Sequence, residues 1–183
     1  MRRAPEVKFS EPLGGVDADG RFCGYASLFG RVDLSGDVVM AGAFARTLRL
    51  KGPAGIGMLL EHDPAAPIGV WERLEEDRRG LWVEGRLGGT AAAARVGALM
   101  RSGALDGLSI GFRTVEADED RRARVRRLIE IDLWEVSVVV APMLPEARAR
   151  AAGAARREAD GEAVLEGLAA RMREAASILR DAR

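Results

Sequence analysis

The chain has 183 residues, the length of one ordinary domain with an appendage. Its 28 basic residues balance 28 acidic ones, so no net field marks nucleic acid or an anionic membrane as the main partner. The single cysteine, Cys23, excludes an intrachain disulfide, and no apolar run is long enough to span a bilayer. The N-terminus lacks the apolar stretch of a secretory signal, so we expect a soluble protein of a reducing cytoplasm.

The first half of the chain contains short apolar and β-branched runs separated by glycine-rich turns, a pattern typical of strands. Residues 77–80, Asp-Arg-Arg-Gly, are a hairpin signal. The elements predicted here, in chain order, are strands over residues 6–11 and 21–29, a short helix over 42–50, an apolar run over 56–61, and strands over 68–74 and 81–87.

The second half continues with a helix over residues 91–101, for which Thr90 is a good N-cap and Gly103 a suitable end. Three further strands are then predicted, over 107–115, 125–131 and 134–140. An acidic turn at residues 118–120 separates the first two, and Pro142 stops the third. Many strands with two short helices predict an α+β domain with a β-barrel-like core.

From Glu146 onward the chain is mostly Ala, Arg, Glu, Leu and Met, which predicts helix. An apolar stripe recurs at three- and four-residue spacing over about residues 162–180, namely Leu165, Leu168, Met172, Ala175 and Leu179. We therefore expect a domain over residues 1–147 and a helical tail over 148–183. So short a helix needs a surface to pack on, either the domain's own or that of another chain.

His62 is the only histidine of the chain, and it lies between Glu61 and Asp63. Imidazole is the side chain best suited to moving protons near neutral pH, so only this position offers a histidine base. Taken alone, a single histidine is more often structural than functional. It also excludes a His-rich metal site, and we expect no metal and no cofactor.

Ser109 lies in Gly107-Leu108-Ser109-Ile110-Gly111-Phe112, where the two glycines leave the backbone accessible to a second chain. The segment is not a Gly-x-Ser-x-Gly elbow, because each glycine is two positions from the serine. A strand serine bonded to nearby backbone is the alternative interpretation.

Glu135 lies within an apolar strand, and a buried carboxylate needs a partner to stay ionised. That partner is either the histidine ring or one of the many arginines. A serine hydroxyl needs a base to take its proton, and the base needs an acid to stabilise its imidazolium. His62, Ser109 and Glu135 offer these three groups, with Asp132 as the alternative acid.

Two other segments suggest different chemistry. Cys23 is an alternative nucleophile, but its strand-like surroundings favour a small apolar filler because nothing nearby would stabilise a thiolate. The arginine-rich residues 121–127 are an alternative nucleic-acid site. The acids directly before them, over 116–120, instead favour a solvated hairpin arm, and we expect no specific nucleic-acid binding and no membrane binding.

A series of short motifs runs in fixed order over about residues 22–147: Gly-Tyr-Ala-Ser-Leu-Phe at 24–29, Asp-Leu-Ser-Gly-Asp-Val-Val at 33–39, Gly-Ala-Phe at 42–44, Glu-His-Asp at 61–63, Pro-Ile-Gly at 67–69, Gly-Leu at 80–81, Gly-Leu-Ser-Ile-Gly-Phe at 107–112 and Leu-Trp-Glu-Val-Ser-Val-Val at 133–139. In order and spacing it resembles the prohead (capsid maturation) proteases of tailed phages. Glu61 departs from the polar amide common there, and Pro-Met-Leu-Pro at 142–145 departs from Pro-Ala-Asn.

The resemblance implies a serine endopeptidase whose fold is like that of the herpesvirus assembly protease. That fold is a β-barrel of about six to seven mainly antiparallel strands with short helices, here followed by the C-terminal helical tail. His62 would be the general base, Ser109 the nucleophile, and Glu135 the third member of the triad.

The resemblance also implies a place of action, inside the assembling procapsid in the host bacterial cytoplasm. The expected partners are the major capsid protein, of which an N-terminal segment is removed, and scaffold, often with self-cleavage. The tail would dock the enzyme to scaffold or capsid, or pair two copies. The particle is that of a phage or of a phage-derived gene transfer agent. The alternative from another class is a catalytically silent capsid-assembly scaffold or docking module.

Overall fold

Strands dominate the part of the chain that the computed structural model describes, residues 15–120, 122 and 124–152. The strands there are β1 (Arg21–Leu28), β2 (Asp37–Val39), β3 (Gly57–Leu60), β4 (Asp63–Glu76), β5 (Gly80–Leu87), β6 (Gly107–Asp120), β7 (Val125–Val139) and β8 (Ala149–Ala151). The helices are α1 (Ala45–Lys51) and α2 (Ala91–Arg101), with a 3₁₀ turn at Pro53–Gly55.

One curled sheet contains all of these strands, in the order β2-β7-β3-β4-β5-β1-β8, with β6 paired to β7. The long strand β7 is its centre, because β6 follows one of its edges while β2 and β3 pair in turn with the other. Those two pairings are parallel, and the remaining ones are antiparallel. The predicted α+β fold with mainly antiparallel strands is confirmed, as a half-barrel.

A short segment before β8 links the two sides of this half-barrel. The Leu108 N–H donates to the Ala147 carbonyl at 2.9 Å, and the Ala149 N–H donates to the Asp106 carbonyl at 2.7 Å. From there β8 pairs with β1. These bonds place the start of β6 close to β1. The segment that carries Ser109 therefore lies between β7 on one side and the residues before β8 on the other.

One apolar core packs against the sheet. Its largest fully buried side chains come from most strands and from both helical regions: Phe22, Phe44, Ile68, Leu81, Met100, Leu108, Leu128, Ile131 and Leu133. The α2 helix begins and ends as predicted, and the Thr90 hydroxyl accepts a hydrogen bond from the Ala93 N–H at 3.1 Å. The core therefore fixes the strands on which the polar site residues lie.

Two predictions about strand limits are wrong. The strands expected over 125–131 and 134–140 form one strand, β7, which ends at Val139, because the interruption is a β-bulge at Trp134 rather than a turn. The acidic residues 118–120 lie in β6 instead of a turn, and they face the basic end of β7 across the ladder. Cross-strand pairing of opposite charges favours this longer hairpin.

Strands β2 and β8 are not predicted from the sequence, and each has only three residues. Over residues 149–151, strand β8 is found where the helix from Glu146 onward was expected, because the edge of β1 offers backbone partners that local propensity does not register. The predicted strand over 6–11 and the tail helix over 162–180 lie outside the described residues. The division at residue 147 stays a prediction. Among the described helices, none is both long and apolar enough to cross a membrane.

Candidate active site

His62 lies in the tight turn between β3 and β4. Leu60 pairs with Asp63 across the ladder, which leaves Glu61 and His62 as the two central residues of a hairpin turn. Both have positive φ, 50° and 61°, as a type I′ turn requires. Residues other than Gly and Asn rarely adopt positive φ, so contacts with the rest of the fold must hold Glu61 and His62 in this conformation.

Strand β7 and its extension provide those contacts. The Glu61 N–H donates to the Val138 carbonyl at 3.1 Å, and the Glu61 carboxylate accepts from the Val140 N–H at 2.7 Å. The His62 N–H donates to the Ser137 hydroxyl at 3.1 Å. The turn that carries the imidazole is therefore bound to β7 by backbone and side-chain bonds.

The imidazole of His62 joins two buried polar side chains. Its Nε2 lies 3.0 Å from Ser109 Oγ, and its Nδ1 lies 2.5 Å from Glu135 Oε1. Ser109 is buried, and the Glu135 side chain is only 11% exposed, whereas the His62 side chain is 42% exposed. The three side chains singled out in the sequence thus form one hydrogen-bonded chain whose histidine faces solvent.

The β6–β7 register explains why Ser109 and Glu135 meet the same ring. Ser109 pairs with Ser137, and Gly111 pairs with Glu135. Because side chains alternate along a strand, Ser109 and Gly111 share a face with Ser137 and Glu135. Gly111 supplies no side chain to that face, and the Glu135 carboxylate lies over it.

Both carboxylate oxygens of Glu135 have partners. Oε1 faces His62 Nδ1, and Oε2 accepts a hydrogen bond from Ser137 Oγ at 2.6 Å. Ser137 is fully buried. Neither Ser137 nor the space that Gly111 leaves for Glu135 was singled out from the sequence, although the two-residue spacing of Glu135 and Ser137 was a usable signal.

Asp132, the alternative acid, has other partners. Its Oδ1 lies 2.6 Å from Lys51 Nζ, and its Oδ2 accepts from the Trp134 indole N–H at 3.0 Å. The hydrogen bond from the Lys51 ammonium holds the pKa of Asp132 below its ordinary value of 3.8. The imidazole therefore bonds Glu135, and Asp132 forms a surface ion pair.

This arrangement is chemically suited to activating a hydroxyl. With Nδ1–H donated to Glu135, Nε2 is left as the acceptor for the Ser109 proton. A carboxylate against Nδ1 would also stabilise the imidazolium formed when that proton moves. The burial of Ser109 and Glu135 strengthens these interactions by excluding water.

A cavity of about 160 Å³ opens beside Ser109. Its apolar lining includes Leu108 and Leu144, and the charged residues Arg31, Asp33 and Asp37 also line it. A cavity of this size next to a nucleophile is suited to one side chain of a bound peptide.

Cys23 and the arginine-rich segment, the two alternatives raised from the sequence, both make contacts within the fold. Cys23 is 3% exposed, and its thiol lies 3.8 Å from the Arg150 carbonyl oxygen. Of the arginine-rich segment, Arg126 pairs with Asp37 and Arg127 pairs with Asp120. Within residues 15–120, 122 and 124–152, no group of three or more His, Cys, Asp or Glu side chains is arranged to hold a metal ion.

Sequence comparison identifies relatives over most of the chain. The profile of the caudovirus prohead serine proteases matches residues 6–161. The prohead protease of Enterobacteria phage HK97 is 34% identical over 160 residues, which are 85% of this chain and 67% of that protein. The prohead protease of Escherichia phage T5 is 32% identical over 123 residues, 65% of this chain and 56% of that protein.

Comparison with solved structures finds proteins that superpose on this chain at low sequence identity. The capsid assembly protease gp21 of bacteriophage T4 superposes with a TM-score of 0.53 at 13% identity, over 64% of this chain and 80% of that one. The Kaposi's sarcoma herpesvirus (KSHV) protease bound to a hexapeptide phosphonate inhibitor gives a TM-score of 0.48 at 13% identity, over 70% and 63% of the two chains.

Proposed function

Because this chain belongs to the caudovirus prohead serine protease family, whose members are proteases of capsid maturation, we propose that it is a serine endopeptidase. We assign Ser109 as the nucleophile, His62 as the general base and Glu135 as the acid that orients the base. The observation that carries this proposal is the continuous hydrogen-bonded chain from Ser109 Oγ through the imidazole to Glu135 Oε1.

The proposed reaction follows from that chain of bonds. Ser109 Oγ attacks the carbonyl carbon of the scissile peptide bond while its proton passes to His62 Nε2. The tetrahedral intermediate collapses, the C–N bond breaks, and the imidazolium returns the proton to the leaving amine. Water then attacks the acyl-enzyme with His62 again as base, which releases the new carboxyl terminus and restores Ser109.

The proposed substrates are scaffold or the N-terminal segment of the major capsid protein, cleaved inside the procapsid in the host cytoplasm, followed by self-cleavage. The prohead proteases of phages HK97 and T5 among the relatives support this assignment. The exposure of the imidazole beside the cavity at Ser109 is consistent with a protein chain as the substrate.

Co-expression with the capsid protein of the same particle tests the proposal. Wild type should shorten the capsid protein or scaffold, and Ser109→Ala should leave both at full length. Identical products from the two would contradict the protease assignment and favour the catalytically silent docking module. Thermal unfolding of both variants is the control, since loss of a small buried hydroxyl should leave the fold intact.

We also propose that the C-terminal tail delivers the enzyme to the shell or pairs two copies. The tail begins with β8, which pairs with β1 up to Ala151, and residues 153–183 lie outside the described residues. A deletion should therefore remove residues 153–183 and keep β8. Incorporation into particles, or dimerisation in sedimentation, should fall more than peptide cleavage; unchanged incorporation and unchanged mass would contradict this role.

A further inference from the structure

Ser137 contacts two members of the proposed triad through one hydroxyl group. Its Oγ lies 2.6 Å from Glu135 Oε2 and 3.1 Å from the backbone nitrogen of His62. The residue is fully buried and lies opposite Ser109 in the β6–β7 ladder. Nucleophile, acid and base are thus all direct neighbours of this one side chain.

The chemistry of the partners fixes the direction of both bonds. A hydroxyl has one proton to donate and two lone pairs to accept with. A backbone N–H can only donate, so Ser137 accepts from His62. An ionised carboxylate can only accept, so the single Ser137 proton points at Glu135. The hydroxyl is therefore oriented without an alternative arrangement.

Each bond constrains a group that would otherwise have freedom. The Glu135 carboxylate is the end of a flexible side chain, and the bond to Oε2 sets the plane in which Oε1 meets the imidazole. The His62 backbone has a φ of 61°, a conformation that nonglycine residues seldom adopt. The bond to the His62 N–H helps to hold it.

We propose that Ser137 is a positioning residue that aligns the Glu135 carboxylate with the imidazole of His62. The inference rests on the proposed function, because it acts through those two side chains. Ser137 does not exchange a proton with substrate in this proposal. It keeps the base in one ring orientation and one tautomer, with Nε2 facing Ser109.

Thr47 on α1 offers a matched control. It is also a buried hydroxyl, 3% exposed, with two hydrogen bonds to the β7 strand. It donates to the Ile131 carbonyl at 2.9 Å and accepts from the Leu133 N–H at 3.2 Å. Thr47→Val therefore removes a buried hydroxyl that bonds to the same strand as Ser137 does, without touching the triad.

The first measurement is of the ring nitrogens of the only histidine in the chain. With ¹⁵N-histidine incorporated into the full chain, the two ring resonances belong to His62 without further assignment. At alkaline pH, with the ring neutral, wild type and Thr47→Val should show the Nδ1–H tautomer. Ser137→Ala should show a mixture of tautomers. This measurement does not depend on the protein being a protease.

The second measurement is the rate at which a fluorophosphonate–rhodamine probe labels Ser109, with Ser109→Ala as the blank. Ser137→Ala should label at least about tenfold more slowly than wild type, the size of effect expected when a bond to a charged group is lost. Thr47→Val should label within about twofold of wild type. Ser137→Thr, which restores a hydroxyl, should recover part of the rate.

The results separate the two proposals. Wild-type ring resonances and a wild-type labelling rate in Ser137→Ala would overturn the role of Ser137. An equal loss of rate in Thr47→Val would also overturn it, since the effect would then be one of general stability. If Ser137→Ala fails to fold, Ser137→Cys keeps the side-chain volume with a weak donor, and the same results decide. Labelling of wild type no greater than the blank would contradict the protease assignment, while the ring resonances still report on Ser137.

Discussion

The carboxylate of Glu135 occupies the space that a side chain on Gly111 would fill. The two residues pair across the β6–β7 ladder, and a Cβ at Gly111 would lie 2.0 Å from Glu135 Oε1. The same oxygen faces His62 Nδ1. The glycine of the Ser-Ile-Gly segment thus leaves room for the acid, in addition to exposing the backbone near Ser109.

Gly111→Ala should therefore reduce activity while leaving the fold largely intact. The atoms it displaces belong to the Glu135 side chain and not to backbone, so that side chain can rotate away from the new methyl group while the strands stay paired. The displaced carboxylate would no longer align the imidazole, and we expect probe labelling of Ser109 to fall by about 10²-fold. Labelling rate and thermal midpoint should be measured together.

Gly107→Ala provides the contrast within the same strand. A Cβ at that position would meet the Val139 carbonyl oxygen at 2.5 Å, and backbone cannot move aside cheaply. Unlike Gly111→Ala, this variant should be destabilised, and we expect its thermal midpoint to fall. If Gly111→Ala lowers the thermal midpoint as much as Gly107→Ala does, then Gly111 is needed for the fold and not specifically for the position of Glu135.

The acid can be identified by replacing each carboxyl group with an amide. Glu135→Gln should lower the rate of Ser109 labelling by about 10³-fold or more, because an amide cannot fix the tautomer or stabilise the imidazolium. Asp132→Asn should remain within about twofold of wild type, since Asp132 pairs with Lys51 at the surface. Equal losses of labelling rate in the two variants would contradict the assignment of Glu135, rather than Asp132, as the acid that bonds His62.

Glu61 is expected to hold the histidine turn through its acceptor oxygen and not through its charge. Glu61→Gln keeps an oxygen for the Val140 N–H and should retain wild-type labelling and stability. Glu61→Ala removes the bond from a turn with positive φ, and should cost about 0.5–1.5 kcal/mol of stability together with part of the activity. Denaturant unfolding checks both variants, and a destabilised Glu61→Gln would instead implicate the charge.

Glu76 should make stability fall as the pH rises. Burial raises the pKa of Glu76 above its ordinary value of 4.5, although the Phe44 N–H donates to its carboxylate at 2.8 Å. Between the ordinary and the raised pKa, the folded state binds more protons than the unfolded state. The contribution of Glu76 to the free energy of unfolding therefore declines as the pH rises from about 4.5 through the raised pKa.

Glu76→Gln removes this titration and keeps an oxygen for the Phe44 N–H. Its stability relative to wild type should therefore increase between pH 4 and pH 7 in urea unfolding, measured at about those two values. Glu116→Gln, at an exposed position of β6, is the control and should show a smaller change. A Glu76→Gln advantage that is the same at both pH values would contradict the effect of burial.

Much of the candidate site was accessible from residue types and order. His62 was the only histidine, Ser109 lay between spaced glycines, and Glu135 interrupted an apolar strand, which made each conspicuous. The structure brings these three side chains together, and their catalytic roles stay a prediction. Ser137 was not singled out, because a serine in a strand has many ordinary partners and only the fold shows which of them it meets.

The limits of the secondary structure were less accessible. The α2 helix was predicted to the residue because Thr90 and the apolar spacing act locally. The continuity of β7 was missed because a bulge at Trp134 and a break between strands look alike in a sequence. Strand β8 was missed because it exists only through the edge of β1.

The sequence by itself determined the family, the α+β class and the three polar residues around which chemistry could be built, because these depend on residue identity and local spacing. Only the tertiary structure decided which acid meets the imidazole. Asp132 and Glu135 are three positions apart, and the bulge at Trp134 lies between them. The register of β6 against β7 then directs Glu135 to His62 and leaves Asp132 with Lys51. Register depends on how two segments pair, and the bulges between β6 and β7 shift it by amounts that are visible only once the strands are paired.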